Sequence, residues 1–175
     1  MRRAGSPLLP MPKSDQGVAQ DRYKLVPRTA IFLRRNQEYL LIKGAPDKQL
    51  WANRYNCLGG HVERGEDLLS AARRELFEET GLTADLTLCG TVVVDAGDSG
   101  ICLFVLLGEN VRGELKPSEE GTAEWVRLER IDELPAVEDL PVLLARINAM
   151  RPGDAPFSAR SFYDDNGALV VQFAD

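Results

Sequence analysis

The segment from Gly59 to Leu82 constrains the fold of this chain more than any other part of it. It begins as a glycine-rich loop and continues into a pattern that predicts one helix, with Asp67 as the N-cap and Gly81 as the left-handed residue that ends it. Three apolar side chains recur at helical spacing and predict the face that packs inward: Leu69, Ala72 and Leu76. We therefore expect a loop and a helix that act as one structural unit.

The same helix carries three glutamates that do not favour its stability: Glu75, Glu78 and Glu79. Offsets of three and four residues place them on one face, where like charges repel by a few tenths of a kcal/mol per pair. Glu78 and Glu79 also lie in the last turn, where the helix dipole disfavours anions by roughly 0.3–1 kcal/mol each. A hard divalent cation such as Mg²⁺ reverses these effects. The cluster therefore predicts a metal site for phosphate chemistry, and the alternative is a solvated charged face.

Length and composition indicate one soluble globular domain. The chain has 175 residues, of which 44% are hydrophobic and 27% charged, which is enough for a sizeable core. The net charge of −6 and the lack of a basic cluster argue against a nucleic-acid polymer as ligand, but not against a mononucleotide. No apolar run approaches the roughly 20 residues that span a bilayer, so we expect no membrane contact and a cytoplasmic location.

Cysteine and histidine offer few alternatives to this chemistry. The three cysteines, Cys57, Cys89 and Cys102, are widely separated and indicate neither a disulfide framework nor a zinc site, which favours a reducing compartment. His61 is the only histidine, which excludes imidazole-rich metal sites. We interpret it as a loop residue near the site and not as a catalyst.

The pattern of elements predicts a mixed α/β (α+β) fold with a central sheet between helices. Residues 1–22 lack the apolar core of a secretory signal and are predicted to form a flexible leader before a domain at residues 23–175. Strands are predicted over residues 24–34, 38–43, 86–95, 101–107, 122–128, 161–163 and 168–173. A second helix is predicted over residues 137–150, with Val142, Leu143 and Ile147 facing inward.

The loop and first helix resemble the Nudix box, which runs glycine, five residues, Glu, seven residues, Arg-Glu, an aliphatic residue, any residue, Glu-Glu, any residue, Gly and an aliphatic residue. Every defined position is filled: Gly60, Glu66, Arg74, Glu75, Leu76, Glu78, Glu79, Gly81 and Leu82. The resemblance implies a Nudix-type α/β/α sandwich with a central mixed sheet. It also implies a hydrolase in which water attacks a phosphorus of a nucleoside diphosphate linked to another moiety.

The resemblance further implies roles for particular residues. Glu75, Glu78 and Glu79 would bind Mg²⁺ or Mn²⁺ together with the carbonyl of Gly59, and Glu66 would pair with Arg74 to fix the loop against the helix. The general base would be Glu78, Glu79 or an acidic residue of the later segment Ser118 to Gly121. In that segment Glu120 matches the extra metal ligand of the oxidised-purine nucleoside triphosphate hydrolases, and its alternative interpretation is a surface loop residue.

The substrate expectation comes from a looser similarity to the same hydrolases of this family. Residues 55–60, Tyr-Asn-Cys-Leu-Gly-Gly, look like their Trp-Asn-Gly-Phe-Gly-Gly lead-in, and residues 125–128 continue the similarity. Asn56 and Asp139 would then hydrogen-bond an 8-oxo-purine base, because an amide and a carboxyl offer both donors and acceptors. Three further substrate-binding candidates depart from the family's Trp, Asp and Lys at their positions: Tyr55, Glu138 and His61.

Several alternatives stay open at this point. The proline and tyrosine markers of ADP-ribose and dinucleoside polyphosphate hydrolases are absent from residues 97–99, but these substrates and sugar nucleotides remain candidates. A Nudix-fold module that senses a nucleotide without hydrolysing it is a second class. Asn56 could be only a turn residue. Trp51 and Trp125 are interpreted as core or loop anchors, and the chain as a monomer or a homodimer.

Overall fold

The computed structural model describes residue 17 and residues 21–174. The leader predicted over residues 1–22 therefore lies almost entirely outside the described residues. The strands are β1 Lys24–Arg35, β2 Glu38–Gly44, β3 Tyr55–Asn56, β4 Thr83–Asp95, β5 Ser99–Arg112, β6 Gly121–Arg127, β7 Phe157–Tyr163 and β8 Leu169–Phe173. The helices are α1 Leu68–Thr80 and α2 Leu140–Ala149, and a 3₁₀ helix covers Leu128–Glu133.

All eight strands belong to one mixed sheet with the order β3-β2-β1-β5-β4-β7-β8, and β6 pairs with β2. The pairs β1/β5 and β4/β7 are parallel, and the remaining pairs are antiparallel. The strands predicted over residues 24–34 and 38–43 are confirmed as β1 and β2, which form a hairpin with Asn36 in the left-handed conformation at its turn (φ 57°). The central mixed sheet expected from the resemblance is thus present.

The sheet separates two apolar layers, each covered by one helix. Along β1 the side chains alternate, because successive residues of a strand point to opposite faces. Ala30 and Phe32 pack with the α2 residues Leu140, Leu143, Leu144 and Ile147. Ile31 and Leu33 pack with the α1 residues Ala72 and Leu76. Burial of each such aliphatic side chain contributes roughly 1.5–3 kcal/mol, so both helices are held on the sheet by their apolar faces.

Helix α1 begins and ends as its sequence predicts. Asp67 caps it, since Oδ1 of this residue accepts hydrogen bonds from the amides of Leu69 (2.9 Å) and Ser70 (3.0 Å). Gly81 ends it with a φ of 71°. Leu69 lies only partly buried at the edge of the inward face. The fixed termini of α1 determine where its glutamates stand relative to the preceding loop.

Helix α2 is shorter than predicted, because it begins at Leu140 and not at Val137. Pro141 occupies its first turn, where a missing backbone N–H costs nothing, and residues 137–139 are left as loop. Val142 was predicted to face inward and is instead 41% exposed, with Leu143 and Leu144 buried beside it. Neither α1 nor α2, nor any other helix in the described residues, has the length and hydropathy of a membrane-spanning segment.

Candidate active site

The glycine-rich loop is fixed to β1 by backbone hydrogen bonds. The amide of Ile31 donates to the carbonyl of Leu58 (2.7 Å), and the amide of Thr29 donates to the carbonyl of Gly60 (2.8 Å). Gly59 has a φ of 122°, and a Cβ atom at this position would collide with the carbonyl oxygen of Thr29. Only glycine fits such a close approach without strain. The loop therefore places the backbone of Gly59 beside the C-terminal half of α1.

Arg74 organises the solvent side of the loop and helix. Its guanidinium donates to both carboxylate oxygens of Glu66 (2.8 and 2.9 Å), to Glu75 (2.9 Å) and to Glu78 (3.2 Å). It also donates to the carbonyl of His61 (3.1 Å). The hydrogen bonds from Arg74 hold the pKa of Glu66 below its usual value. The ion pair of Glu66 and Arg74 that the sequence predicted is present and ties the loop to α1.

Glu79 is the most buried of the glutamates, with 8% of its surface exposed. Its Oε2 accepts a hydrogen bond from the amide of Gly59 (2.8 Å). Burial, reinforced by the negative charges of Glu75 and Glu120, raises the pKa of Glu79 from 4.5 to about 8. A carboxylate in such surroundings is costly unless a positive charge accompanies it.

In the part of the chain that the structure describes, no three carboxylates, cysteines or histidines converge in an arrangement ready to hold a metal ion. The reason is that Arg74 draws Glu75 and Glu78 to itself while Glu79 bonds to Gly59. The surroundings nevertheless fit a divalent cation. Buried Glu79 lacks a cationic partner among the described residues, all side-chain donors are hard oxygens, and a Cβ atom at Gly60 would lie 2.5 Å from Glu75 Oε1.

We expect the metal-free protein to lose stability as the pH rises, because Glu79 binds a proton more tightly in the folded chain. Its contribution is neutral below the unfolded pKa near 4.5 and becomes unfavourable as the pH rises towards about 8, by roughly 4–5 kcal/mol. Thermal melting in EDTA from pH 5 to 8.5 measures this. Glu79→Gln should flatten the profile relative to the parent, and Mg²⁺ should restore parental stability at pH 8. An unchanged slope in Glu79→Gln would contradict it.

Two neighbouring cavities open beside the loop. The first, the carboxylate cavity, has a volume of about 110 Å³ and is lined by Gly59, Glu79 and Glu120 together with basic residues that include Lys48. Glu120 forms an ion pair with Lys48. The structure thus brings Glu120, from the segment before β6, to the same cavity as Glu79. Lys48, from the loop after β2, is a cavity residue that the sequence did not indicate.

The second, the apolar cavity, has a volume of about 140 Å³ and contains Asn56 and Asp139 among largely apolar side chains such as Phe32 and Leu103. Burial raises the pKa of Asp139 above its usual range. Oδ1 of Asn56 accepts a hydrogen bond from the amide of Cys57 (2.8 Å), which leaves its NH₂ group as the available donor. These two predicted substrate-binding residues are brought together, although 83 residues of sequence separate them.

Other predicted site residues lie elsewhere. Tyr55 is buried in the core layer under α2, and its hydroxyl donates a hydrogen bond to Glu124. Its side chain therefore contributes to the core and faces neither of these two cavities. Glu138 is exposed and accepts a hydrogen bond from Tyr163 (2.9 Å). His61 is exposed on the loop and contributes its backbone carbonyl to Arg74. Neither cavity is lined by any of these three predicted residues.

Two residues that line the cavities, Trp51 and Arg28, were not predicted from the sequence to be site residues. Trp51, interpreted as a core or loop anchor, is 47% exposed and lines both cavities. The large aromatic side chain of Trp51 predicted burial. Trp51 is instead exposed because it lies on the loop between β2 and β3, outside the two core layers. Arg28 also lines both cavities, and nothing in the sequence distinguished it from other arginines. Trp125, by contrast, packs beneath the Arg35 guanidinium, 4.2 Å from its ring centre, as an anchor.

Known proteins are similar to this chain in sequence and in fold. A model of the NUDIX domain matches residues 24–147, well over half of the chain. The chain is 32% identical over 94 residues to the oxidized purine nucleoside triphosphate hydrolase of Danio rerio, covering 52% of this chain and 60% of that enzyme. It is 31% identical over 123 residues to the 8-oxo-dGTP diphosphatase of Escherichia coli (strain K12), covering 69% and 94%.

Among solved structures, the MutT protein of Bacillus halodurans superimposes with a TM-score of 0.71 at 24% identity. The superposition covers 85% of this chain and 97% of that protein, and it establishes the likeness of fold. The chain's complete box, its sandwich architecture and the domain match over residues 24–147 agree with one another. This chain therefore belongs to the Nudix family of hydrolases.

Proposed function

We propose that this protein is a Mg²⁺-dependent pyrophosphohydrolase of purine nucleoside triphosphates, with 8-oxo-purine nucleotides as preferred substrates. The products would be the nucleoside monophosphate and pyrophosphate. The observation that carries the proposal is the adjacency of the apolar cavity and the carboxylate cavity, which share Asn56 and Gly59 in their walls. A nucleotide has the same two parts, a flat base and a charged phosphate chain.

The carboxylate cavity and the adjoining face of α1 would hold the metal. Its ligands would be Glu75, Glu78, Glu79 and Glu120 with the carbonyl of Gly59, and the magnesium or manganese ion would supply an acidified water and neutralise developing charge. In the absence of metal, Arg74 pairs with Glu75 and Glu78, and Lys48 pairs with Glu120; a bound metal would compete with these ion pairs. Glu78, Glu79 and Glu120 are the candidates for the group that takes the proton from water.

The apolar cavity would hold the base. The NH₂ group of Asn56 can donate to a carbonyl of the purine edge, and Asp139 can donate when protonated or accept when ionised. An 8-oxo-purine differs from a normal purine in its donors and acceptors, so a site built from an amide and an adaptable carboxyl can discriminate between them. The names of the Danio rerio and Escherichia coli relatives support this substrate class.

The cellular setting forms part of the proposal. A small nucleotide, and not a nucleic-acid polymer, would be the ligand, since the net charge of the chain is −6. The three cysteines carry free thiols, which suits a reducing cytoplasm. The protein would act as a monomer or a homodimer. The complete set of box glutamates favours hydrolysis over nucleotide sensing, because it retains every acidic position of the motif.

A nucleotide panel tests this function. The pure protein is incubated with Mg²⁺ and either 8-oxo-dGTP, dGTP, ADP-ribose, a dinucleoside polyphosphate or a nucleotide sugar, and released pyrophosphate and phosphate are measured. We expect pyrophosphate from 8-oxo-dGTP with a kcat/KM at least about 10-fold above that for dGTP, because the cavity can pair with the altered base edge. Preference for ADP-ribose or a dinucleotide would refute the substrate class. No turnover of any compound would favour a sensor.

A further inference from the structure

Three basic residues line the carboxylate cavity: Arg28, Lys48 and Arg54. Lys48 forms an ion pair with Glu120. Arg54 donates from Nη1 to the carbonyl of Ala136 (3.2 Å). Among the described residues, Arg28 is the one of the three whose side chain takes part in no hydrogen bond or ion pair with another residue. Its charge is therefore available to a ligand.

Arg28 also differs from Lys48 and Arg54 in position, because it alone of the three lines both cavities. It lies on β1, paired with Leu103 of β5, where the neighbouring backbone is held rigidly by the sheet. Its side chain is half-buried and close enough to the Cys57 thiol, which lines both cavities, for the two to interact electrostatically. A half-buried arginine that forms no ion pair with the other described residues lowers the stability of the fold, and such an arginine is typical of anion binding.

We propose that Arg28 binds the phosphate that is bonded directly to the sugar of the nucleotide. The proposal rests on the proposed function and concerns a residue to which the resemblance gave no role. With the base beside Asn56 and Asp139 and the outer phosphates beside Glu79 and Glu120, the first phosphate must cross the boundary between the two cavities. Arg28 stands at that boundary. A guanidinium can donate two parallel hydrogen bonds to phosphate oxygens, whereas an ammonium acts as a single point of charge.

Equilibrium binding separates this role from recognition of the base. Affinities of the parent, Arg28→Gln and Arg28→Lys for 8-oxo-dGMP and for the phosphate-free nucleoside 8-oxo-deoxyguanosine are measured by calorimetry in EDTA. We expect Arg28→Gln to weaken binding of the monophosphate about 10- to 100-fold and binding of the nucleoside less than about 2-fold, with Arg28→Lys between parent and Gln. Arg151→Gln, at an exposed arginine away from both cavities, is the matched control and should bind both compounds like the parent.

The outcomes separate this inference from the function on which it rests. If the parent turns over no nucleotide of the panel, the proposed function fails; if it hydrolyses 8-oxo-dGTP but binds 8-oxo-dGMP no more tightly than the nucleoside, the phosphate role of Arg28 is wrong. If the parent binds both and Arg28→Gln loses equal affinity for both, Arg28 contacts the base or sugar and the phosphate role is wrong. If the parent binds both and Arg28→Gln is unchanged, Arg28 has no role in binding. Circular dichroism of each variant checks the fold, and Arg28→Lys provides the test should Arg28→Gln be unfolded.

Discussion

Replacing Glu79 by Gln should lower kcat for 8-oxo-dGTP by at least about 100-fold while the protein stays folded. The carboxylate is almost fully buried beside the Gly59 amide, so the isosteric amide keeps the volume and changes the charge. The lost charge is the one that would bind the metal. In metal-free buffer at pH 8 the variant should be at least as stable as the parent, because burial opposes ionisation of the native carboxyl.

Steady-state kinetics with Mg²⁺, together with thermal melting, measures both effects of Glu79→Gln. Glu129→Gln is the matched control, since this glutamate is exposed on the 3₁₀ helix and lines neither cavity. The control should keep a kcat within about 2-fold of the parent. A near-normal kcat in Glu79→Gln would contradict its role as a ligand. A large decrease in the melting temperature of Glu79→Gln would instead show that the Glu79 carboxylate stabilises the folded protein.

Replacing Asp139 by Ala should lower kcat/KM for 8-oxo-dGTP by about 100-fold, because a partly buried carboxyl that would hydrogen-bond the base is removed. Its adjacent residue supplies the control. Glu138 is exposed and bonded to Tyr163, away from the apolar cavity, so Glu138→Ala should change kcat/KM by less than about 3-fold. Parallel measurements with dGTP show whether the preference for the oxidised base falls.

Parallel kinetics of Asp139→Ala and Glu138→Ala can distinguish the roles of these two carboxylates, because a large loss is expected only for Asp139→Ala. Equal losses of kcat/KM in Asp139→Ala and Glu138→Ala would indicate that Glu138 also binds the substrate, as the sequence similarity implied. A loss in Asp139→Ala that is identical for 8-oxo-dGTP and dGTP would assign the carboxyl to binding without discrimination. Only a larger loss for the oxidised nucleotide supports the role proposed for Asp139.

Local signals in the sequence were sufficient for the loop and for α1. Asp67 and Gly81 specify the ends of the helix through side-chain capping and positive φ, which depend on nearest neighbours. The pairing of Glu66 with Arg74 followed from the resemblance, and the structure contains it. The strand predicted over residues 24–34 is present as β1, and its alternating side chains enter the two core layers.

Features that depend on tertiary packing escaped prediction. The start of α2 depends on Pro141 in its first turn and on the packing of residues 137–139. The helical spacing of apolar residues does not reveal either effect. Tyr55 is drawn into the core by its position on β3 and by Glu124, 69 residues away. Arg28 and Lys48 reach the cavities only because the sheet brings β1 and the loop after β2 to the same edge as Gly59. Single-sequence patterns carry no information about such distant contacts.

The ion pairs seen here have a further consequence for the metal. Arg74 and Lys48 hold carboxylates that the metal would also need. Metal entry would therefore redistribute these hydrogen bonds, and the released Lys48 would be free to contact phosphate. The Lys48–Glu120 pair is exposed and contributes little stability, so its exchange costs little. The buried Glu79, which has no such partner in the described residues, is the natural anchor for the first ligand bond.

The central claim is that the carboxylates at the end of α1 bind a divalent cation beside Gly59. It is tested most directly by anomalous diffraction from crystals soaked in Mn²⁺ with a non-hydrolysable nucleoside triphosphate. The account predicts an anomalous peak bonded to Glu79, with the Gly59 carbonyl and at least one of Glu75, Glu78 and Glu120 as further ligands. Manganese absent from this position while Glu75 and Glu78 remain paired with Arg74 would contradict it.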